Sequence, residues 1–280
     1  MIDGFVKVAA ASPVIRLADC DYNAERVIET IKKADALGAK VLVFPELTLT
    51  GVSCYDLITH RVILEGAKKA LDKVIDATKG IDMLCFVGLP WADGAEVFSA
   101  AAAVCSGELL AVLSGDDDED ERLFIHSALD ELCVAVEIGA GLDRAESGTD
   151  ELAASGATLI AQMASFPATT SSTQEAELNI RYESRRGKAG LILAAPGTGE
   201  STTDNWYSGL CLVAENGRIL ARDERADSLA VSEIDVQALT NLRRASGGFD
   251  GSLAYDAIPW GAELTETAVT RRYPMHPHLP

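Results

Sequence analysis

Apolar positions along the chain follow two spacings. Short continuous or alternating apolar runs predict strands, and apolar residues three or four positions apart predict helices. The predicted strands are Phe5–Ala11, Val41–Phe44, Met83–Leu89, Val97–Cys105, Leu109–Leu113, Leu132–Ile138, Thr158–Met163, Leu191–Ala195, Gly209–Ala214, Arg218–Arg222 and Ser228–Ile234. The predicted helices are Tyr22–Leu37, Tyr55–Lys79, Gly148–Ser155, Glu175–Lys188 and Val236–Ala245. Some strands follow each other through tight turns and others through helices, so the pattern predicts an α/β or mixed α+β class.

Composition narrows the classes of partner. The formal net charge is −19, which disfavours nucleic acid and anionic membranes because phosphate binding needs clustered lysine and arginine. No apolar run is long enough to predict a membrane-spanning helix. The N-terminus has no basic region followed by a sustained apolar stretch, so it does not predict a signal peptide.

The cysteines and histidines predict neither disulfides nor a metal site. Six cysteines show no CxxC pair and mostly lie in apolar runs, a pattern typical of free thiols in a reducing cytoplasm. The four histidines are scattered. We therefore expect a cytoplasmic protein with no metal and no cofactor.

One carboxylate stands out from the apolar pattern. Glu46 comes just after the buried strand Val41–Phe44 and the following Pro45. Reactive groups collect at strand ends in α/β proteins, and a carboxylate there can act as a general base. A glutamate that only stabilises the next turn would show the same local pattern.

Four segments carry a family resemblance: Ala18–Asn23, Phe44–Gly51, Gly199–Asp204 and Ala214–Gly217. In order and approximate spacing they resemble the nitrilase-like (carbon–nitrogen hydrolase) glutaminase domain of glutamine-dependent NAD synthetase, over roughly residues 5–250. Gly199-Glu-Ser-Thr-Thr-Asp204 is the most specific of them. The resemblance implies a nitrilase-type four-layer αββα sandwich and a homo-oligomer. It also implies catalysis by a cysteine nucleophile, a glutamate and an oxyanion-stabilising lysine.

Only one member of that trio maps onto this sequence. Glu46 matches the family glutamate, as a remnant general base. The family's nucleophile position, after a strand like Val136-Glu137-Ile138, is occupied by Gly139. The lysine-bearing loop appears deleted, because the chain has no lysine between Lys79 and Lys188 and continues instead into the acidic run 116–121. We expect this acidic run to be a solvated loop.

The resemblance therefore leads us to expect a catalytically degenerate domain. Its role would be structural: to hold an oligomer, or to support an NAD synthetase domain, in the same chain or complex, that uses free ammonia. One alternative is an active carbon–nitrogen hydrolase with a rearranged site, although Cys133 and Cys211 are poor substitutes for the nucleophile. Another is a binding module for a small amide or amino acid near Glu46.

The predicted boundary lies near the C-terminus. We assign residues 1–265 to the nitrilase-like domain and 266–280 to a proline-rich tail, which resembles the start of the family's linker to a synthetase domain and favours a chain cut at that boundary. The run Ser246-Gly-Gly-Phe-Asp-Gly-Ser252 is close to an ATP-binding loop. Such a loop needs a preceding strand, and the preceding residues predict a helix.

Overall fold

A computed structural model of the chain describes residues 4–114, 122–142, 148–246, 256–261 and 269–270. The strands are β1 Phe5–Ser12, β2 Val41–Val43, β3 Leu84–Asp93, β4 Glu96–Cys105, β5 Glu108–Ser114, β6 Arg122–His126, β7 Leu129–Ala140, β8 Leu159–Ala164, β9 Gly190–Ala194, β10 Cys211–Glu215, β11 Arg218–Asp223, β12 Ser228–Asp235 and β13 Asp256–Trp260. The helices are α1 Cys20–Ala36, α2 Arg61–Ala77, α3 Thr149–Ala154, α4 Ser172–Gly187 and α5 Val236–Ala245, with a 3-10 segment at Val52–Thr59.

These strands form two mixed sheets, in the orders β12-β1-β2-β3-β4-β5 and β11-β10-β9-β8-β7-β6-β13. Alternate residues of each strand point to opposite faces of a sheet, so each sheet has an inner and an outer apolar face. The inner faces pack on each other, with the rings of Phe86 and Phe124 in edge contact 5.3 Å apart. The outer face of the first sheet packs on α1 and α2, and that of the second on α3 and α4. The predicted αββα sandwich is confirmed.

Parallel pairing within each sheet prepares the site. Strand β2 runs parallel to both β1 and β3, and β8 runs parallel to both β7 and β9. The carboxyl ends of neighbouring parallel strands therefore meet at one edge of their sheet, where loops collect. The two predicted tight turns are confirmed, since Ser106-Gly107 and Asn216-Gly217 have the positive φ angles that such hairpins require.

The prediction of one long helix over Tyr55–Lys79 is wrong. The chain forms the 3-10 segment first, in which Tyr55 has φ 44° and ψ −121°, and His60 is extended. Helical spacing of apolar residues cannot show such a break, because it reports which side chains are buried and not the local backbone conformation.

Two strands of the second sheet were not predicted. Strand β6 begins directly after the acidic run, which masks its short apolar pattern. Strand β13 contains Pro259 and lies at the sheet edge, the position in a sheet where proline is tolerated.

Several predicted features fall outside the described residues. The acidic run 116–121 and residues 247–252 of the glycine-rich run are among them, as is the tail 266–280 apart from Val269 and Thr270. The helix expected before Ser246 is present as α5.

Candidate functional site

Glu46 lies in a tight loop at the carboxyl end of β2. Its backbone N–H donates to the carbonyl oxygen of Ala164 at the end of β8, at 3.3 Å, so this loop joins the ends of the two sheets. Gly88 in β3 allows the close approach, because a Cβ there would lie 2.5 Å from the Pro45 carbonyl oxygen. The Glu46 side chain is therefore held at the edge where both sheets end.

Gly139 lies directly beside Glu46. It forms a bulge in β7, where the pairing with β8 shifts between Ile138 and Ala140, and its φ is +76°. A Cβ built on Gly139 would stand 3.7 Å from Glu46 Oε2, and no other described atom beyond the chain neighbours lies within 4 Å of that point. The structure thus brings together the two residues that the sequence singled out. It places Gly139 in a bulge within the strand, whereas the sequence predicted a turn after the strand.

The Glu46 carboxylate lacks compensation on one side. Its Oε2 is buried and accepts no hydrogen bond, and no ion pair to Glu46 is formed among the described residues. A buried acceptor without a donor costs about 1–3 kcal/mol, and more if it is charged. The arrangement is therefore unfavourable for folding alone and suits a group that meets a donor from outside the chain.

Comparison with known proteins agrees with this geometry. No family model matches the sequence. Glutamine-dependent NAD(+) synthetase from Mycobacterium tuberculosis (strain ATCC 25618 / H37Rv) is 28% identical over 298 residues, which cover 94% of this chain and 43% of the relative. The chain therefore spans less than half the length of this relative.

Two solved structures match the fold. Glutamine-dependent NAD+ synthetase from Acinetobacter baumannii has a TM-score of 0.73 at 18% identity, covering 84% of this chain and 46% of that one. An amidase of the nitrilase superfamily from Nesterenkonia has a TM-score of 0.69 at 18% identity, covering 86% of this chain and 95% of that one. The chain has the nitrilase fold. The resemblance to the nitrilase-like glutaminase region of NAD synthetases, predicted from the motifs, is confirmed.

In this nitrilase fold, no cysteine provides an activated thiol. All six are free and buried. Burial raises the pKa of each thiol, to about 11 for Cys20 and to about 12 for Cys133 and Cys211. A cysteine attacks carbon as the thiolate, so none of these side chains is prepared for that role at neutral pH.

Glu200, in the most specific motif, has a role that sequence reasoning missed. Its carboxylate accepts from the backbone N–H groups of Val52 and Ser53, each at 2.9 Å, and from the Ser53 hydroxyl. It thereby caps the amino end of the 3-10 segment that follows Glu46 in the chain. The motif itself was visible, but nothing in it identifies partners that lie 147 and 148 residues away.

Gly199 explains why this motif begins with glycine. Its φ is +108°, and a Cβ built there would lie 1.9 Å from the Ile15 carbonyl oxygen. Only glycine allows the loop to lie this close to the end of β1. Gly199 therefore holds Glu200 beside the loop that carries Glu46.

A small hollow separates the two glutamates. It is lined by Ser12, Ile15, Glu46, Thr48 and Glu200, among others, and has a volume of about 10 Å³, roughly the space that one water needs. Among the described residues, no group of three or more histidine, cysteine, aspartate or glutamate side chains could hold a metal ion. None of the described helices combines the length and apolar character needed to cross a membrane.

Proposed function

We propose that this chain is a degenerate counterpart of the glutaminase region of NAD synthetases, which keeps the nitrilase fold and does not hydrolyse amides. The observation that carries the proposal is the pairing of Glu46 with Gly139. A side chain at position 139 would stand 3.7 Å from the Glu46 carboxylate, and the residue there has no side chain. Glu46 is then a remnant general base, and Gly139 marks the position of the lost nucleophile.

Reaction chemistry supports this reading. Covalent amide hydrolysis needs a nucleophile to attack the carbonyl carbon and a cation or donor to stabilise the oxyanion. In the Nesterenkonia amidase, an acetamide moiety adds covalently at the active-site cysteine. Here the position beside the glutamate has no thiol, and the chain has no lysine between Lys79 and Lys188. Residues of a catalytic unit act non-additively, so losing two of them removes nearly the whole rate enhancement.

An ammonia-release assay tests the proposal. Purified protein with glutamine should release ammonia no faster than buffer, while the M. tuberculosis synthetase assayed in parallel serves as the positive control. Release at an ordinary enzymatic rate would refute it. An electrophile that mimics an amide tests the rearranged-site alternative separately, because a covalent adduct on any of the six cysteines, detected by intact-protein mass spectrometry, would support that alternative.

The remaining role that we propose is structural: the domain holds a homo-oligomer, or supports an NAD synthetase domain that uses free ammonia. Exposed apolar side chains on the outer helix α4 support association, since Leu178 is 60% exposed and Tyr182 46%. Light scattering should find an oligomer that Leu178→Asp dissociates. Leu242→Asp, on the exposed side of α5, is the matched control and should leave the oligomer intact. A monomeric wild-type protein would contradict the oligomeric part.

A second candidate function is binding of a small amide near Glu46, because Glu46 Oε2 lacks a donor that an amide N–H could supply. Calorimetry with glutamine, asparagine and glutamate tests this. Binding of either amide, reduced in Glu46→Met, would favour it over a purely structural role. The absence of heat with all three compounds would count against it.

A further inference from the structure

A second, larger recess lies beside the loops that follow β8, β9 and β11. We call it the hydroxyl groove and define it by Thr169, Thr170, Thr173, Thr198, Trp206 and Glu224. Its volume is about 680 Å³, within the usual range for small-molecule sites. Neither Glu46 nor Gly139 lines it.

Trp206 is the unusual residue of the groove, because its side chain is 72% exposed although tryptophan is highly buried on average. Its loop is nevertheless anchored at several points. The Trp206 carbonyl oxygen accepts from the N–H of Ala168 at 2.6 Å, and the neighbouring Asn205 amide donates to the Tyr55 hydroxyl at 3.3 Å. An indole on an anchored loop offers a flat face to a ligand at little cost in entropy.

The polar lining selects the kind of ligand. Thr170 and Thr198 are exposed, and the Thr173 hydroxyl donates to Glu224 at 2.8 Å. No lysine or arginine is among the residues that line the groove in the described part of the chain. Nearby Arg222 forms ion pairs with Glu224 and Glu177. A carboxylate or phosphate would therefore meet no free cation here, in a chain of net charge −19.

We propose that the hydroxyl groove binds a neutral ring bearing several hydroxyl groups, such as a sugar or the nucleoside part of a nucleotide. Trp206 stacks against the face of the ring. Glu224 accepts hydrogen bonds from ring hydroxyls, and the threonine hydroxyls donate and accept at its edge. This binding is separate from the function proposed above, because it requires neither a nucleophile nor Glu46.

Titration monitored by tryptophan fluorescence tests the proposal on the intact chain. Maltose is the sugar probe, adenosine the nucleoside probe and glutamate the anionic probe. We expect saturable change with maltose, with adenosine or with both, at concentrations on the order of millimolar, and none with glutamate. A response to one neutral probe identifies the source of the ring. No saturable response to either neutral probe, or an equal response to glutamate, would overturn the proposal.

Variants separate this site from other tryptophans. Trp206→Ala should abolish binding by calorimetry, and Thr173→Val should weaken it about 3- to 10-fold, the value of one hydrogen bond. Trp91→Phe, at a different surface recess, is the matched control and should bind like wild type. Circular dichroism establishes that each variant is folded. Undiminished affinity in folded Trp206→Ala would also overturn the proposal.

Discussion

Two glutamates border the same hollow, and the fold treats them in opposite ways. Glu200 accepts two backbone N–H groups and one hydroxyl, whereas Glu46 has a buried oxygen that accepts nothing from the described residues. A fully bonded carboxylate stabilises the loops around it. A carboxylate that costs stability is typical of sites shaped by chemistry with a ligand. The same residue type therefore marks architecture at one position and former chemistry at the other.

The largest expected effect comes from breaking the support of Glu200. Gly199→Ala should destabilise the protein by about 3 kcal/mol or more, because the new Cβ would overlap the Ile15 carbonyl oxygen and the loop would have to move. Urea denaturation measures the loss. Gly156→Ala is the matched control, since its φ of +117° is similar but nothing lies within 4 Å of its Cβ position. It should cost only about 1–2 kcal/mol. Equal losses in the two variants would show that the close approach of Gly199 is unimportant.

Next in size is the direct removal of the cap. Glu200→Gln should cost about 2–3 kcal/mol, because an amide cannot accept all three hydrogen bonds and loses the charge that strengthens them. The free energy of unfolding from urea titration checks this. Glu96→Gln, at an exposed position, should change stability by less than about 0.5 kcal/mol. A loss in Glu200→Gln as small as in this control would remove the contrast between the two glutamates.

Glu46 should respond in the opposite direction. Glu46→Met replaces the uncompensated carboxylate with an apolar side chain of similar length. It should stabilise the protein by about 1–3 kcal/mol, seen as a rise in Tm of a few degrees. Glu46→Gln, which keeps a polar group in place, should gain less. Destabilisation by Glu46→Met would indicate that the carboxylate is held by favourable contacts.

The sequence predicted the parts of this picture that depend on local pattern. The apolar run Val41–Phe44 located Glu46 at a strand end, and the strand before Gly139 gave the register that brings the two together. The partners of Glu200 were not predictable, because those hydrogen bonds join segments 147 and 148 residues apart. The exposed indole of Trp206 was not predictable either, since exposure depends on how the loops pack.

The smallest expected effect on activity concerns Gly139→Cys. We expect no ammonia release from glutamine above that of wild type. The new thiol would lie beside Glu46, but the chain has no lysine between Lys79 and Lys188 to stabilise the oxyanion. The substitution should cost about 1–2 kcal/mol for its left-handed backbone, and Gly139→Ala, with the same backbone cost and no sulfur, is the control. Covalent labelling of Gly139→Cys by an electrophile, without hydrolysis, would show that Glu46 still activates a thiol placed there. Full hydrolytic recovery would mean that a cationic group reaches the oxyanion from another part of the chain, and that one substitution separates this domain from an active glutaminase.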